Sequence, residues 1–92
     1  MSEAPQSPPA RPRIARLYRL QWEEAQQAHV LLFPEGMVKL NQSAGEILRR
    51  CDGTRSVAEL TAELETAFGT TNLGPDVEAF LVHARSRGWL DP

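Results

Sequence analysis

Residues 29–44 read HVLLFPEGMVKLNQSA, and the hydrophobic pattern within this stretch changes twice. Residues 29–33 are almost entirely apolar, which is typical of a central strand that is covered on both faces. The unit FPEG at residues 33–36 predicts a tight turn, because proline presets φ at its second position and glycine accepts a positive φ at its fourth. Residues 37–40 then alternate between two faces, so they predict a short return strand.

The apolar spacing changes at Leu40 from every second residue to every third or fourth, and this period indicates a helix. Either Asn41 or Ser43 can cap this helix, and Ser43 has Glu46 at the spacing of a capping box. The DG pair at residues 52–53 predicts its end, since glycine suits a left-handed C-terminal residue.

Two further helices are predicted downstream. Ser56 and Glu59 form a second capping box, and GPD at residues 74–76 opens the last helix, where the missing N–H of proline costs nothing. Gly88 ends that helix, and the WL pair at residues 89–90 is expected to fold back as a hydrophobic clamp. The apolar faces of the three helices are Ala44, Ile47, Leu48 and Cys51; Val57, Leu60, Leu64, Ala67 and Phe68; and Val77, Phe80, Leu81 and Ala84.

Upstream of the central strand, residues 18–22 predict a half-buried strand with Tyr18, Leu20 and Trp22 on one face. A polar connection at residues 23–28 joins the two strands. The three strands form an antiparallel meander whose third strand lies at an edge. The predicted fold is therefore an α+β, winged-helix-like domain, with a three-stranded antiparallel sheet followed by three helices.

Composition limits the functions that this chain can have. Its 92 residues suit one small domain, in which residues 1–13 are predicted to be a disordered Pro/Arg-rich arm and residues 14–92 the folded part. The net charge of −2 combines +3 over residues 1–20 (four arginines, one glutamate) with −5 over residues 21–92 (six basic, eleven acidic). An acidic body disfavours nucleic acid as a partner, because nucleic-acid-binding domains meet phosphates with basic surface.

The residues that could carry chemistry show no catalytic or metal-binding spacing such as CxxC or HExxH. His29, His83 and Cys51 are interpreted as structural or surface residues, so we expect no metal, no cofactor and no enzymatic activity. A small thiol enzyme that uses Cys51 stays open as an alternative. A single cysteine, no apolar signal segment and no membrane-length apolar run predict a cytoplasmic protein without membrane contact.

DNA binding is the alternative function that the winged-helix topology leaves open. A helix that reads DNA carries its base-contacting groups near its N-terminal half. The corresponding part of the third predicted helix carries Asp76 and Glu78, whose carboxylates repel phosphates.

The third strand is a candidate interaction site, because an unprotected sheet edge can pair with another chain. Lys39 is its only charged residue. One interpretation is that Lys39 and the shortness of the strand keep the edge unpaired. The other is that an extended peptide adds to it as a further strand.

Four motifs together resemble one family. The run PEGMVKLNQSA at residues 34–44 is followed by CDG at residues 51–53 and SVAEL at residues 56–60, and YRLQWE precedes it at residues 18–23. In this combination the chain resembles the PqqD family, the peptide chaperones of pyrroloquinoline quinone (PQQ) biosynthesis. The resemblance covers about residues 12–90. The LNQSA junction and the CDG turn are also similar to the wider group of leader-peptide recognition domains.

The resemblance implies a non-catalytic peptide chaperone. Members of the family bind the precursor peptide PqqA and present it to the radical SAM enzyme PqqE, which joins a glutamate and a tyrosine side chain within the peptide. In related domains the leader peptide adds to the third strand beside the third helix. From the charge distribution, basic residues such as Arg49, Arg50 and Arg85 are expected to meet acidic residues of the peptide, and a monomer or weak homodimer is expected. The implied peptide-binding residues are Met37, Val38, Lys39, Leu40, Val77, Phe80, Leu81, Ala84 and Arg85.

Overall fold

The computed structural model describes residues 10–91 and contains three strands followed by three helices, which confirms the predicted α+β architecture. Residues 1–9 and residue 92 lie outside this description, and with them most of the predicted disordered arm. The elements are β1 (Arg19–Glu23), a short 3-10 turn (Glu24–Gln26), β2 (Ala28–Phe33), β3 (Gly36–Lys39), α1 (Gln42–Leu48), α2 (Val57–Phe68) and α3 (Gly74–Ser86).

The sheet is an antiparallel meander with β2 in the centre. Leu31 of β2 lies opposite Leu20 of β1 and Val38 of β3, and these three side chains pack into the core that the helices cover. Val30 points to the other face, because successive strand residues alternate, and it too is fully buried. The centre of β2 is thus buried on both faces at Val30 and Leu31. The rest of its apolar run is only half-buried, at His29, Leu32 and Phe33.

β1 begins and ends one residue later than predicted, and its second aromatic residue is not buried. Leu20 packs against the core, whereas Trp22 is 47% exposed. The Trp22 indole N–H donates to Glu24 Oε1 at 3.0 Å, and its ring stands edge-on to His29 at 5.0 Å between centroids. Trp22 thus lies at the rim of the sheet and not beneath it, where Glu24 accepts its indole N–H.

Asn41, and not Ser43, caps α1. The Asn41 Oδ1 accepts a hydrogen bond from the Ala44 N–H at 2.8 Å. The predicted capping box of Ser43 with Glu46 is wrong, because Ser43 lies inside the helix and the Glu46 carboxylate pairs with Arg50 at 2.8 Å. The apolar face predicted for this helix is buried throughout.

The connection between α1 and α2 holds the N-terminal segment. α1 ends at Leu48, and Gly53, which the sequence predicts as its end, takes a φ of 86° within the connection instead. The Gly53 N–H donates to the Pro12 carbonyl at 2.9 Å, and Arg13 forms a β-bridge with Asp52. Since Pro12 is fully buried, the packed part of the chain begins before the predicted domain boundary.

The C-terminal clamp is confirmed. Trp89 and Leu90 are 8% and 3% exposed. Leu90 forms a β-bridge with Ile14, and the Ala15 N–H donates to the Trp89 carbonyl at 2.8 Å. The first and last described segments therefore close over the core together.

α2 begins as predicted, but fewer of its apolar residues are buried than predicted. The Ser56 Oγ accepts from the Glu59 N–H at 3.1 Å, and Glu59 Oε1 accepts from the Ser56 N–H at 2.9 Å, which completes the capping box. The buried residues of this helix stop at Leu64, and the last turn is exposed at Ala67 and Phe68. The predicted apolar stripe is therefore one turn too long.

Gly45 marks the closest approach between α1 and β2. A Cβ added to it would lie 2.7 Å from the His29 Nδ1 and 3.1 Å from the His29 Cβ. Alanine gains about 1 kcal/mol of helix propensity over glycine, but overpacking costs about 1–3 kcal/mol. We expect Gly45→Ala to lower the free energy of unfolding by up to about 2 kcal/mol, as measured by urea denaturation.

His29→Ala provides the matched background, because it removes the imidazole ring that the added Cβ would meet. We expect Gly45→Ala to cost less stability in the His29→Ala background than in the wild type. Equal losses in the two backgrounds would show that contact with the His29 ring is not the cause.

Candidate functional site

β3 forms one edge of the sheet, and its backbone groups alternate between β2 and the open side. The Leu40 N–H donates to the His29 carbonyl at 3.0 Å. Given the register of β3 against β2, Val38 also directs its N–H and C=O toward β2. The backbone groups of Met37 and Lys39 therefore point away from the sheet. Among residues 10–91, no further strand pairs with that side.

The side chains of the four predicted strand residues differ in burial. Met37 is 54% exposed and Lys39 is also exposed. Val38 is half-buried and packs against the core, whereas Leu40 is only 5% exposed. The edge thus offers a partner two backbone positions, one accessible apolar side chain and one cation.

The predicted helix residues divide between the core and the surface. Val77, Leu81 and Ala84 are 2%, 0% and 0% exposed, so they have no free surface in this state. Phe80 and Arg85 are half-buried and retain some surface. On α3, these two side chains are the predicted site residues that a ligand could touch without repacking the core.

Cys51 is not an activated nucleophile. It is 3% exposed, and its thiol donates to the Ile47 carbonyl at 3.2 Å. Burial raises the pKa of the Cys51 thiol to about 12, so the residue carries no thiolate at neutral pH. The structural interpretation of Cys51 therefore fits its surroundings, and the thiol-enzyme alternative does not.

The two histidines take part in packing. His29 is half-buried and lies against Gly45 and Trp22, and together with Trp22 it lines a cavity of about 230 Å³ at the end of the sheet. His83 is exposed and stands edge-on to Trp89 at 5.7 Å between centroids. Within residues 10–91, no three His, Cys, Asp or Glu side chains are grouped as metal ligands.

The first turns of α3 do not favour DNA. Asp76 and Glu78 are both exposed there. Their carboxylates would stand where a DNA-reading helix needs groups that approach phosphates and base edges.

An ion-pair network joins α1 to α2 and was not anticipated from the sequence. Arg50 is only 8% exposed, and its guanidinium pairs with Glu46 at 2.8 Å and with Glu63 at 3.3 Å. Glu63 also accepts from Arg55 at 2.8 Å, and Arg49 pairs with Glu46 at 3.3 Å. The expectation that Arg50 is free for an acidic peptide is therefore wrong, and Arg49 is also engaged.

The same network holds two carboxylates in their charged form. The hydrogen bond from Arg50 lowers the pKa of Glu46, and the hydrogen bond from Arg55 lowers the pKa of Glu63. Each pKa is lowered mainly by its arginine partner, because a hydrogen bond from a guanidinium favours the charged carboxylate.

The fold and the β3 edge are shared with a known protein family. The family described as coenzyme PQQ synthesis protein D (PqqD) matches residues 28–90, from the start of β2 to the C-terminal clamp. The chain belongs to the PqqD family. The resemblance seen in the motifs around β3 and α1 is thereby confirmed.

The relatives match over most of their length. A "PqqA binding protein" of Azotobacter vinelandii is 49% identical over 81 residues, which cover 87% of this chain and 88% of the relative. A protein of the same name from Methylococcus capsulatus is 42% identical over 77 residues, which cover 84% and 83% of the two chains.

A solved structure shares the fold. It is the solution NMR structure of the PqqD truncation of Methylobacterium extorquens PqqCD, described as a functional, stand-alone recognition element for ribosomally synthesized and post-translationally modified peptides. It matches with a TM-score of 0.78 and 25% identity, over 96% of this chain and 98% of that chain.

Within residues 10–91, no helix has both the length and the apolar character that crossing a bilayer requires.

Proposed function

We propose that this chain binds the ribosomal precursor peptide PqqA by strand addition to β3 and presents it to the radical SAM enzyme PqqE. The observation that carries the proposal is the open edge, where the backbone groups of Met37 and Lys39 point away from the sheet. Family membership supports a peptide as the ligand, because relatives of similar length are named PqqA binding proteins.

Strand addition needs free backbone donors and acceptors in an extended segment. Met37 and Lys39 each offer one N–H and one C=O, and each hydrogen bond made there contributes about 0.5–1.5 kcal/mol. Lys39 also discourages pairing between copies of this edge, because like charges repel when two such strands align. An acidic residue of the peptide would instead attract the Lys39 ammonium group.

Side chains of the added strand would alternate between the two faces of the sheet. Those on the core side would pass Val38. In related domains the peptide lies beside the third helix, and by that resemblance the surface of Phe80 and Arg85 on α3 would offer further contacts. This smaller set refines the family-derived site, since Val77, Leu81 and Ala84 have no free surface.

The proposed chaperone carries out no chemistry itself. The buried Cys51 thiol, with its pKa raised to about 12, is unsuited to nucleophilic attack at neutral pH. PqqE would form the bond within the peptide, and the chaperone would act in the cytoplasm as a monomer or weak homodimer.

An NMR titration of the ¹⁵N-labelled chain with its PqqA precursor tests the proposal. We expect the largest backbone amide shifts at Met37 and Lys39, because their N–H groups would change partner from water to peptide. Thr66 on the exposed side of α2 serves as an internal control and should not shift. A precursor of scrambled sequence should cause smaller shifts at the same concentration.

Two results would contradict the proposal. Amide shifts that are absent at saturating precursor would exclude peptide binding. Shifts confined to β1, the other edge of the sheet, would retain peptide binding but exclude β3 as the place of strand addition.

A further inference from the structure

The sheet has a face that points away from the helices. Leu31 and its cross-strand neighbours point to the core, so the residues between them on each strand point to the opposite side. We name this side the outer face; its central residues are Arg19, Leu32 and Met37 in one cross-strand row and Gln21, Val30 and Lys39 in the next.

Apolar surface is concentrated at one end of the outer face. Leu17, just before β1, is 71% exposed, and Met37 is 54% exposed. Leu17, Leu32 and Pro34 line a shallow depression of about 450 Å³. A small domain gains nothing in stability from a leucine left in water, so a cluster of this kind indicates a place where another molecule binds.

Basic residues lie beside this apolar surface. Arg16 and Arg19 line the same depression, and Lys39 lies on the outer face. Among residues 10–91, none of these three cations takes part in an ion pair, whereas Arg50 and Arg55 are both held by carboxylates. Arg16 and Arg19 thus lie beside exposed apolar surface and have no carboxylate partner in the described part of the chain.

We propose that this docking patch, formed by Arg16, Leu17, Arg19 and Leu32, binds a protein surface that presents carboxylates around an apolar side chain. The inference rests on the proposed function, since its partner is the enzyme that receives the peptide from β3. Met37 links the two surfaces, because its backbone faces the open edge while its side chain lies on the outer face. A protein docked on the patch therefore lies beside a peptide bound to β3.

An acidic protein suits the patch better than a nucleic acid or an anionic membrane. The chain has a net charge of −2, and residues 21–92 carry −5, so its body repels phosphate-rich surfaces. A compact partner can contact the few basic residues of the patch without approaching the acidic body. The exposed leucine adds an anchor that a phosphate backbone would not use.

Paired substitutions test the patch. Leu17→Asp introduces repulsion at its centre, and Phe68→Asp makes the same change at a 39% exposed residue on α2, outside the patch. With purified PqqE as the probe, we expect Leu17→Asp to weaken binding about tenfold or more, and Phe68→Asp to leave it unchanged. A double variant, Arg16→Glu with Arg19→Glu, should weaken binding and reduce its dependence on salt.

Precursor binding is measured in parallel, so that the two hypotheses can fail separately. We expect all variants to bind the precursor as the wild type does, because none alters β3. Failure of the wild type to bind the precursor would contradict the proposed function. Full retention of PqqE binding by both patch variants, with the wild type also binding, would overturn the docking patch alone. No PqqE binding by a wild type that binds the precursor would contradict both the patch and the presentation step of the proposed function, and would leave peptide binding intact.

A second copy of the chain is the remaining molecule that could occupy the patch. Analytical ultracentrifugation of the chain alone tests for it by measuring self-association. Self-association that Leu17→Asp abolishes, with PqqE binding intact, would assign the patch to a homodimer and overturn the proposal. A wild type that stays monomeric while binding PqqE through Leu17 would support it.

Discussion

Replacing Lys39 by proline is expected to weaken precursor binding about tenfold to a hundredfold and to leave the domain folded. The Lys39 N–H points away from β2, so proline removes no hydrogen bond from the sheet. A peptide carbonyl that paired with this N–H would lose its partner, at a cost of about 1–3 kcal/mol. Proline is tolerated on edge strands for the same reason. Calorimetric titration measures the affinity, and circular dichroism checks the fold.

Two further substitutions distinguish the contribution of the Lys39 backbone N–H from that of its side chain. Lys39→Ala keeps the N–H and removes the ammonium group, so it should reduce affinity much less than Lys39→Pro. Val38→Pro removes an N–H that points toward β2 and leaves a β2 carbonyl without its partner, so it should destabilise the domain by about 1–3 kcal/mol. An equal loss of affinity from Lys39→Ala and Lys39→Pro would assign binding to the side chain and contradict strand addition.

The parts of the fold that the sequence predicts correctly are those set by local chemistry. The FPEG turn and the alternation around it place β2 and β3, because proline and strand periodicity act over a few residues. The cap of α1 was ambiguous between Asn41 and Ser43. The pairing of β3 with β2 settles the choice. Because the Leu40 N–H still donates to β2, the strand ends at Leu40, and the helix begins directly after it with Asn41 as the cap.

The features that the sequence does not predict depend on how elements pack. Nothing near Gly45 indicates that His29 lies against it, since the two residues belong to different elements. The partners of Arg50 come from both α1 and α2, so helix-terminal charge alone suggested a free cation where the structure has an ion-pair network. A local sequence pattern identifies the charged residue, but it does not identify the carboxylates on other elements that pack against that residue.

In the candidate site, too, local sequence predicts some features and packing determines the others. Alternation identifies the edge strand, but only the register shows that Met37 and Lys39 direct their backbone groups outward. On α3, one apolar stripe served both as the predicted core face and as the family-derived binding face. Periodicity cannot separate these two functions, because buried and groove-lining side chains share the same spacing.

Leu81 and Phe80 provide the second prediction, because they are neighbours on α3 that the structure assigns to different environments. Leu81 is 0% exposed and belongs to the core, so we expect Leu81→Ala to lower the free energy of unfolding by about 2–5 kcal/mol. That is a large fraction of the roughly 5–15 kcal/mol that stabilises a typical domain. Urea denaturation measures this loss.

Phe80→Ala should have a smaller effect on stability and a larger effect on precursor binding than Leu81→Ala. Phe80 is half-buried, with its ring 6.5 Å from that of Trp89, so its removal leaves a smaller cavity and costs less stability than Leu81→Ala. If its exposed part contacts the peptide, Phe80→Ala weakens precursor binding, whereas Leu81→Ala, measured at a temperature where it remains folded, does not. A folded Leu81→Ala variant with weakened binding and an unaffected Phe80→Ala variant would show that the core of α3 opens to admit the peptide. The peptide would then bind by rearranging the domain, and the open edge of β3 would be only part of the site.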